Sequence, residues 1–164
     1  MSAEDIASEK NINWRNVPVR RERQLEPVTQ RLSSSATPIF KYFKDLMVFA
    51  ALVGYADRER RPLSGDTISI ILGTYATDQL DGFIYLLGLI ESRDSNVLRD
   101  ENLLDCIKVF EEYCNAGLHS ISRWLDDNPS DPDGVETLLI KVQEELAKSV
   151  DYAEQDPTNI SIID

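Results

Sequence analysis

Between Ile39 and Val53 the apolar residues Ile39, Phe40, Phe43, Leu46, Met47, Ala50, Ala51 and Val53 recur at spacings of three and four. That repeat marks one face of an α-helix. Lys41, Lys44 and Asp45 fall between them. Thr37 can cap this helix, and Pro38 suits its first turn, where a missing N–H costs nothing. Gly54, the charged run Asp57-Arg58-Glu59-Arg60-Arg61 and Pro62 are expected to end it.

The same period recurs down the chain. A second helix is expected over Thr77–Ser92, capped by Thr77 or Asp78. Leu80, Phe83, Ile84, Leu86, Leu87, Leu89 and Ile90 make it apolar nearly all round, so it is read as the central, buried helix. A third is expected from about Asp100 to Ala116 on Leu103, Leu104, Ile107, Val109, Phe110 and Tyr113, with Gly117 as its C-terminal cap. A fourth, Leu118 to Asp126, carries Ile121, Trp124 and Leu125. The stretch Asn128-Pro129-Ser130-Asp131-Pro132-Asp133-Gly134 is a turn. A last amphipathic helix runs from Val135 to about Val150, with Leu138, Leu139, Val142, Leu146 and Val150 turned inward. The fold class expected is all-α, a compact bundle of about five helices.

Residues 1–36 are low in large apolar groups and end in Ser33-Ser34-Ser35. They read as a flexible basic arm; a short helix between Val19 and Leu32 would be broken by Pro27. Residues 37–150 form the helical domain, and 151–164 a loose tail in which Ile160, Ile162 and Ile163 alternate like a strand. The β-branched stretch Thr67–Leu72 reads either as a short strand or as a packed loop. As a strand it needs a partner, from Arg60 to Leu63 in a hairpin near 60–72 or from a second chain.

At 164 residues the chain suits one domain, and at 42% hydrophobic it can bury a real core. Cys106 and Cys114 lie eight residues apart on one expected helix. Their backbones are then about 12 Å apart, too far for a disulfide. They read as reduced, buried thiols of a cytosolic protein. The opening MSAEDIASEKNINW is polar and acidic, which argues against a secretory leader. The longest apolar run, Leu46 to Ala56, is about half of the roughly 20 residues that cross a bilayer.

The net charge is −12, unevenly spread. Met1–Arg61 holds 11 Lys and Arg against 8 Asp and Glu; Pro62–Asp164 holds 6 against 21, a net of −15. Such a body repels nucleic acid over most of its surface. DNA contact is therefore expected only at the basic leading segment: Trp14, Arg15, Arg20, Arg21, Arg23 and Arg31, with Arg58, Arg60 and Arg61 in the later turn. Glu22 and Glu26 dilute the patch. The same residues suit docking on a protein's acidic surface, or no partner at all.

Catalytic patterns are missing. His119 is the single histidine, and neighbours such as Ser120 and Ser122 do not face it on a helix. One histidine and two cysteines are not a zinc cluster. Asp126, Asp127, Asp131 and Asp133 crowd the turn without the ligand spacing or central glycine of a calcium loop, and read as a solvated acidic turn. No glycine-rich phosphate cradle occurs. The pair Glu111-Glu112 reads as a wet helix face. Neither a cofactor nor a metal is expected, and no enzyme activity.

The stretch TPIFKYFKDLMVFAALVGY (37–55), the turn RERRPL (58–63), DGFIYLLGL (81–89) and EEYCNAG (111–117) together resemble the Dnd-system-associated protein 4 family, over about residues 37–125. That family is encoded beside bacterial genes for DNA phosphorothioation and phosphorothioate-dependent restriction. The resemblance implies a bacterial, cytoplasmic setting in anti-phage defence, and it brings no catalytic residues. The leading expectation is an accessory interaction or regulatory protein with protein partners from that system and a homo-oligomer left open. The alternatives are a DNA-binding accessory and, more weakly, a nuclease.

Overall fold

The computed structural model describes residues 13–155. Six α-helices and one two-stranded sheet make up this part, a mainly helical architecture as expected. Strand β1 (Pro18–Glu22) leads through a 3₁₀ turn into helix α1 (Glu26–Ser33). Then follow α2 (Phe43–Ala56), strand β2 (Thr67–Ile71), α3 (Leu72–Ala76), α4 (Asp81–Ser92), α5 (Leu103–Asp127) and α6 (Val135–Gln155). No helix among the described residues is long and apolar enough to cross a membrane.

The centre is α5, not the Thr77–Ser92 segment. Every residue from Phe110 to Leu118 is buried. Helices α1, α2 and α4 and strand β1 pack around it. Helix α4 buries Ile84, Leu87 and Gly88 but leaves Leu86 and Ile90 exposed. Its all-round apolar character describes a helix lying on the surface of the core with a partly bare outer face.

Gly117 does not cap a helix. The two helices expected on either side of it are one, 25 residues long. Gly117 sits where α5 crosses α2 backbone against backbone, and Gly54 stands on the other side of the contact. A Cβ on Gly117 would lie 1.7 Å from the Ala50 carbonyl oxygen, and one on Gly54 2.1 Å from that of Tyr113. Only glycine permits this approach. The roughly 1 kcal/mol that an interior glycine costs a helix is offset by the packing it allows.

From Val17 to Leu32 the leading segment is built into the fold rather than held off it as an arm. Val17, Val19, Leu25, Val28 and Leu32 are all core residues. Strand β1 alternates, with Pro18 and Arg20 outward and Val19 and Arg21 inward. It pairs antiparallel with β2, placing Val19 opposite Ile70 and Arg21 opposite Ile68. The strand partner is thus neither Arg60–Leu63 nor a second chain. Pro27 does not break the helix here but stands in the first turn of α1, where its missing N–H is harmless.

Other boundaries also differ. The helix expected from Thr37 begins at Phe43, after an extended Tyr42 and without a side-chain cap. The segment before α4 turns once as α3, and α4 starts at Asp81, not at Thr77. The turn at 128–134 is where it was expected, closed by Gly134 at φ +75°. Helix α6 continues past Val150 to Gln155, and it does not turn its apolar stripe inward. Leu138 is buried, whereas Leu139, Val142 and Leu146 are exposed at 54%, 39% and 61%. The expectation for the Val150 side chain and the strand-like Ile160, Ile162 and Ile163 fall outside the described residues.

Candidate functional site

Two features stand out on this frame: a polar seam where β1 and the loop before β2 meet α5, and an apolar groove between α2 and α6.

The seam is organised by Glu22, the last residue of β1, whose carboxylate is wholly buried. Its Oε1 accepts from Ser64 N at 2.8 Å, Ser64 Oγ at 3.1 Å and Asn115 Nδ2 at 2.9 Å. Its Oε2 takes Gln24 Nε2 and lies 3.3 Å from His119 Nε2. Burial alone would raise the carboxyl, but the bonds from Gln24, Asn115 and Ser64 outweigh it and hold it at about 2. Asn115 Nδ2 also reaches the carbonyl oxygens of Arg61 and Pro62 at 3.2 and 3.3 Å. The seam therefore ties three stretches of chain together. In the sequence Glu22 looks like a charge that dilutes a basic patch; nothing local signals that it is an anchor.

The basic residues singled out in the sequence divide into two groups. Four are engaged within the fold. Arg20 donates its backbone N–H at 2.8 Å and its Nε at 3.2 Å to Glu111 Oε1, while burial pushes that carboxyl up. Arg21 is buried, bonds Glu26 at 2.7 Å and lies over the Phe43 ring. Arg31 donates to the carbonyl oxygens of Asp131 and Pro132 at 2.7 and 2.8 Å, which holds the turn before α6. Arg60 donates to Glu112 through Nε and Nη2 at 3.0 and 2.6 Å and to Glu91 at 2.8 Å. Glu91 also accepts from the Tyr113 hydroxyl at 2.7 Å; burial and this carboxylate push that hydroxyl up to about 12. Glu111 and Glu112 are thus buried partners of arginines, not a wet face. The second group is exposed: Trp14, Arg15, Arg23, Arg58 and Arg61. Arg15 stacks on Trp14 with its guanidinium 4.7 Å from the ring centre.

The seam is not arranged as a relay. In a nucleophilic triad the imidazole stands between acid and hydroxyl. Here the acid stands between them, with Ser64 on one oxygen of Glu22 and His119 on the other. Ser120 Oγ donates instead to Asp57 at 3.0 Å. Cys106 and Cys114 are free and buried, and burial pushes both thiols up, away from the reactive thiolate. Asp131, far from being solvated, accepts from Thr137 N and Oγ1, each at 2.8 Å, and so caps α6. Those bonds lower its carboxyl. Among the described residues no group of three or more His, Cys, Asp or Glu gathers to hold a metal.

The groove lies between α2 and α6 and has a volume of about 580 Å³. Phe49, Leu52 and Val53 of α2, Trp124 of α5 and Val142 and Leu146 of α6 give it an apolar lining. Asp57, Lys141, Glu144, Glu145 and Lys148 edge it. Lys141 bonds Glu144 at 2.9 Å and lies 5.7 Å from the centre of the Trp124 ring; Lys148 bonds Glu145 at 2.9 Å. The periodic stripe of α6 was visible in the sequence, but its spacing does not tell a face turned to the core from one left open.

No curated protein and no solved structure matches the chain. One family does, over residues 18–158, a span that takes in β1 and all six helices. The chain belongs to that family, DNA sulphur modification system-associated protein 4.

Proposed function

We propose that the protein is a non-catalytic accessory component of a bacterial DNA sulphur modification system, acting in the cytoplasm in the restriction that uses this modification for anti-phage defence. It works by docking on another protein of that system through the groove between α2 and α6. The observation that carries this reading is the row of half-exposed apolar residues Leu52, Val142 and Leu146 beside Trp124. An apolar surface of this kind on a well-packed domain is the usual mark of a protein contact. The commitment of Arg20, Arg21, Arg31 and Arg60 to partners inside the fold supports protein over DNA as the partner.

The test is co-purification of the tagged chain with each protein of its modification system, beside titration of duplex DNA with and without phosphorothioate. The expected result is retention of one system protein and its loss on Leu146→Asp. Retention of none, with tight DNA binding instead, would overturn the reading.

A further inference from the structure

We propose that the occupant of this groove is a basic amphipathic helix of the partner protein; the inference rests on the docking reading above. Its shape comes first. Leu139, Val142 and Leu146 follow one another at i, i+3 and i+7 along α6, a straight stripe on an exposed helix face. Leu52 and Val53 of α2 line the opposite wall and Trp124 the lining between them. Two helical walls with apolar ridges take a third helix, whose own anchors repeat at the same spacing. The part of α6 that lines the groove, Lys141 to Ser149, is about 12 Å long, which matches about two turns of a partner helix.

Charge selects the kind of helix. The groove's edge carries Asp57 and two pairs internal to α6, Lys141 with Glu144 and Lys148 with Glu145, which cancel and leave the edge negative by Asp57 alone. Asp127, one turn beyond Trp124 on α5, and Glu136 in the first turn of α6 are exposed. The stretch from Pro62 onward carries a net −15. A helix flanked by Lys and Arg meets this field favourably and displaces the weak surface pairs at little loss. A second copy of the chain brings a further −12 and meets it unfavourably.

The experiment uses the full chain with Trp14→Phe, which leaves Trp124 as the sole tryptophan. The probe is a synthetic helix of about 18 residues with leucines at i, i+3, i+4 and i+7 and lysines elsewhere. Two controls are the same composition with leucines scrambled and a version with glutamate for lysine. The expected result is saturable binding with a blue shift of Trp124 fluorescence, weakened about tenfold or more by Leu146→Asp and by scrambling, and absent with the glutamate helix. Leu52→Asp on the opposite wall should behave like Leu146→Asp, and unchanged thermal melts show that both variants fold. Equal binding of the scrambled or glutamate peptide, or indifference to both substitutions, overturns the proposal. So does a dimer in solution that Leu146→Asp dissociates, since the occupant is then a second copy. If the peptide fails while Leu146→Asp still releases a system protein, docking stands and the basic helix falls.

Discussion

Gly117 meets Ala50 backbone to backbone: a Cβ on the glycine would sit 1.7 Å from the alanine's carbonyl oxygen. The contact sets how close α5 and α2 come. Gly117→Ala must push the helices apart or bend one of them. It should lower stability by about 2–4 kcal/mol in urea unfolding. Gly82→Ala is the control, because nothing lies within 4 Å of a Cβ there. It should be neutral or stabilise by about 0.5–1 kcal/mol. Equal effects at the two sites would rule out a backbone contact at the crossing.

Glu22 and Glu111 are both buried carboxylates on the same seam, and their acid responses should differ in sign. Glu22 is held at about 2 in the fold against an ordinary 4.5. Its contribution is therefore present above about 4.5 and lost as pH falls towards 2; it amounts to about 3 kcal/mol. Glu111 is shifted up, so its ionisation opposes folding at neutral pH and its protonation relieves that. Glu22→Gln should lower stability at pH 7 and flatten the acid limb of the stability curve. Glu111→Gln should change stability at pH 7 by less than about 1 kcal/mol, since the amide still accepts from the Arg20 N–H. Unfolding curves from pH 7 down to pH 2 check both.

His119→Ala removes one contact to Glu22. A loss of about 1 kcal/mol in stability is expected. Retention of the system partner in co-purification should not change. Loss of function in a variant that still melts cooperatively would show that His119 does more than buttress Glu22.

How far the sequence foretold this fold follows from the range of each interaction. The face of α2 and the turn at 128–134 rest on local spacing and turn chemistry, and both were legible. Gly117 was misread because a cap glycine and a crossing glycine look alike until the residue opposite, Ala50, is known. Strand β1 was missed because its partner β2 lies some fifty residues on, and because Arg21 stands where a strand pattern wants an apolar side chain. Of the basic residues marked as a binding patch, the sequence could not separate Arg31, spent on two carbonyls of the turn, from the exposed Arg23. The groove was half legible. The stripe of α6 was plain, but its outward aim follows from how little of α6 the rest of the fold covers.

Deleting residues 1–36 should unfold the chain rather than trim an arm. The deletion removes five core side chains, Val17, Val19, Leu25, Val28 and Leu32. It also strips β2 of its partner and leaves Asn115 and Ser64 without the Glu22 carboxylate. Each buried valine or leucine is worth about 1.5–3 kcal/mol, so the sum exceeds the 5–15 kcal/mol that holds a typical domain together at its lower end. Far-ultraviolet circular dichroism of the truncated chain should show loss of cooperative melting.

DNA binding, if measured, should depend only weakly on salt. Each phosphate contact adds about −0.9 to the slope of log affinity against log salt on duplex DNA. Contacts from Arg15, Arg20, Arg21, Arg23 and Arg31 together would bring the slope to about −4.5. Arg20, Arg21 and Arg31 are already bonded to Glu111, Glu26 and the turn carbonyls, and releasing them would break the seam and the turn. Arg15 and Arg23 remain exposed, for a slope no steeper than about −1.8 from this segment. The −15 carried by the rest of the chain weakens even that. Arg15→Glu with Arg23→Glu should then remove the share of DNA binding that this segment supplies, while leaving retention of the system partner unchanged. A measured slope near −4.5 on intact duplex would exceed the roughly −3.6 that the exposed Arg15, Arg23, Arg58 and Arg61 could supply together, and would mean that an engaged arginine such as Arg20, Arg21 or Arg31 comes free when DNA arrives.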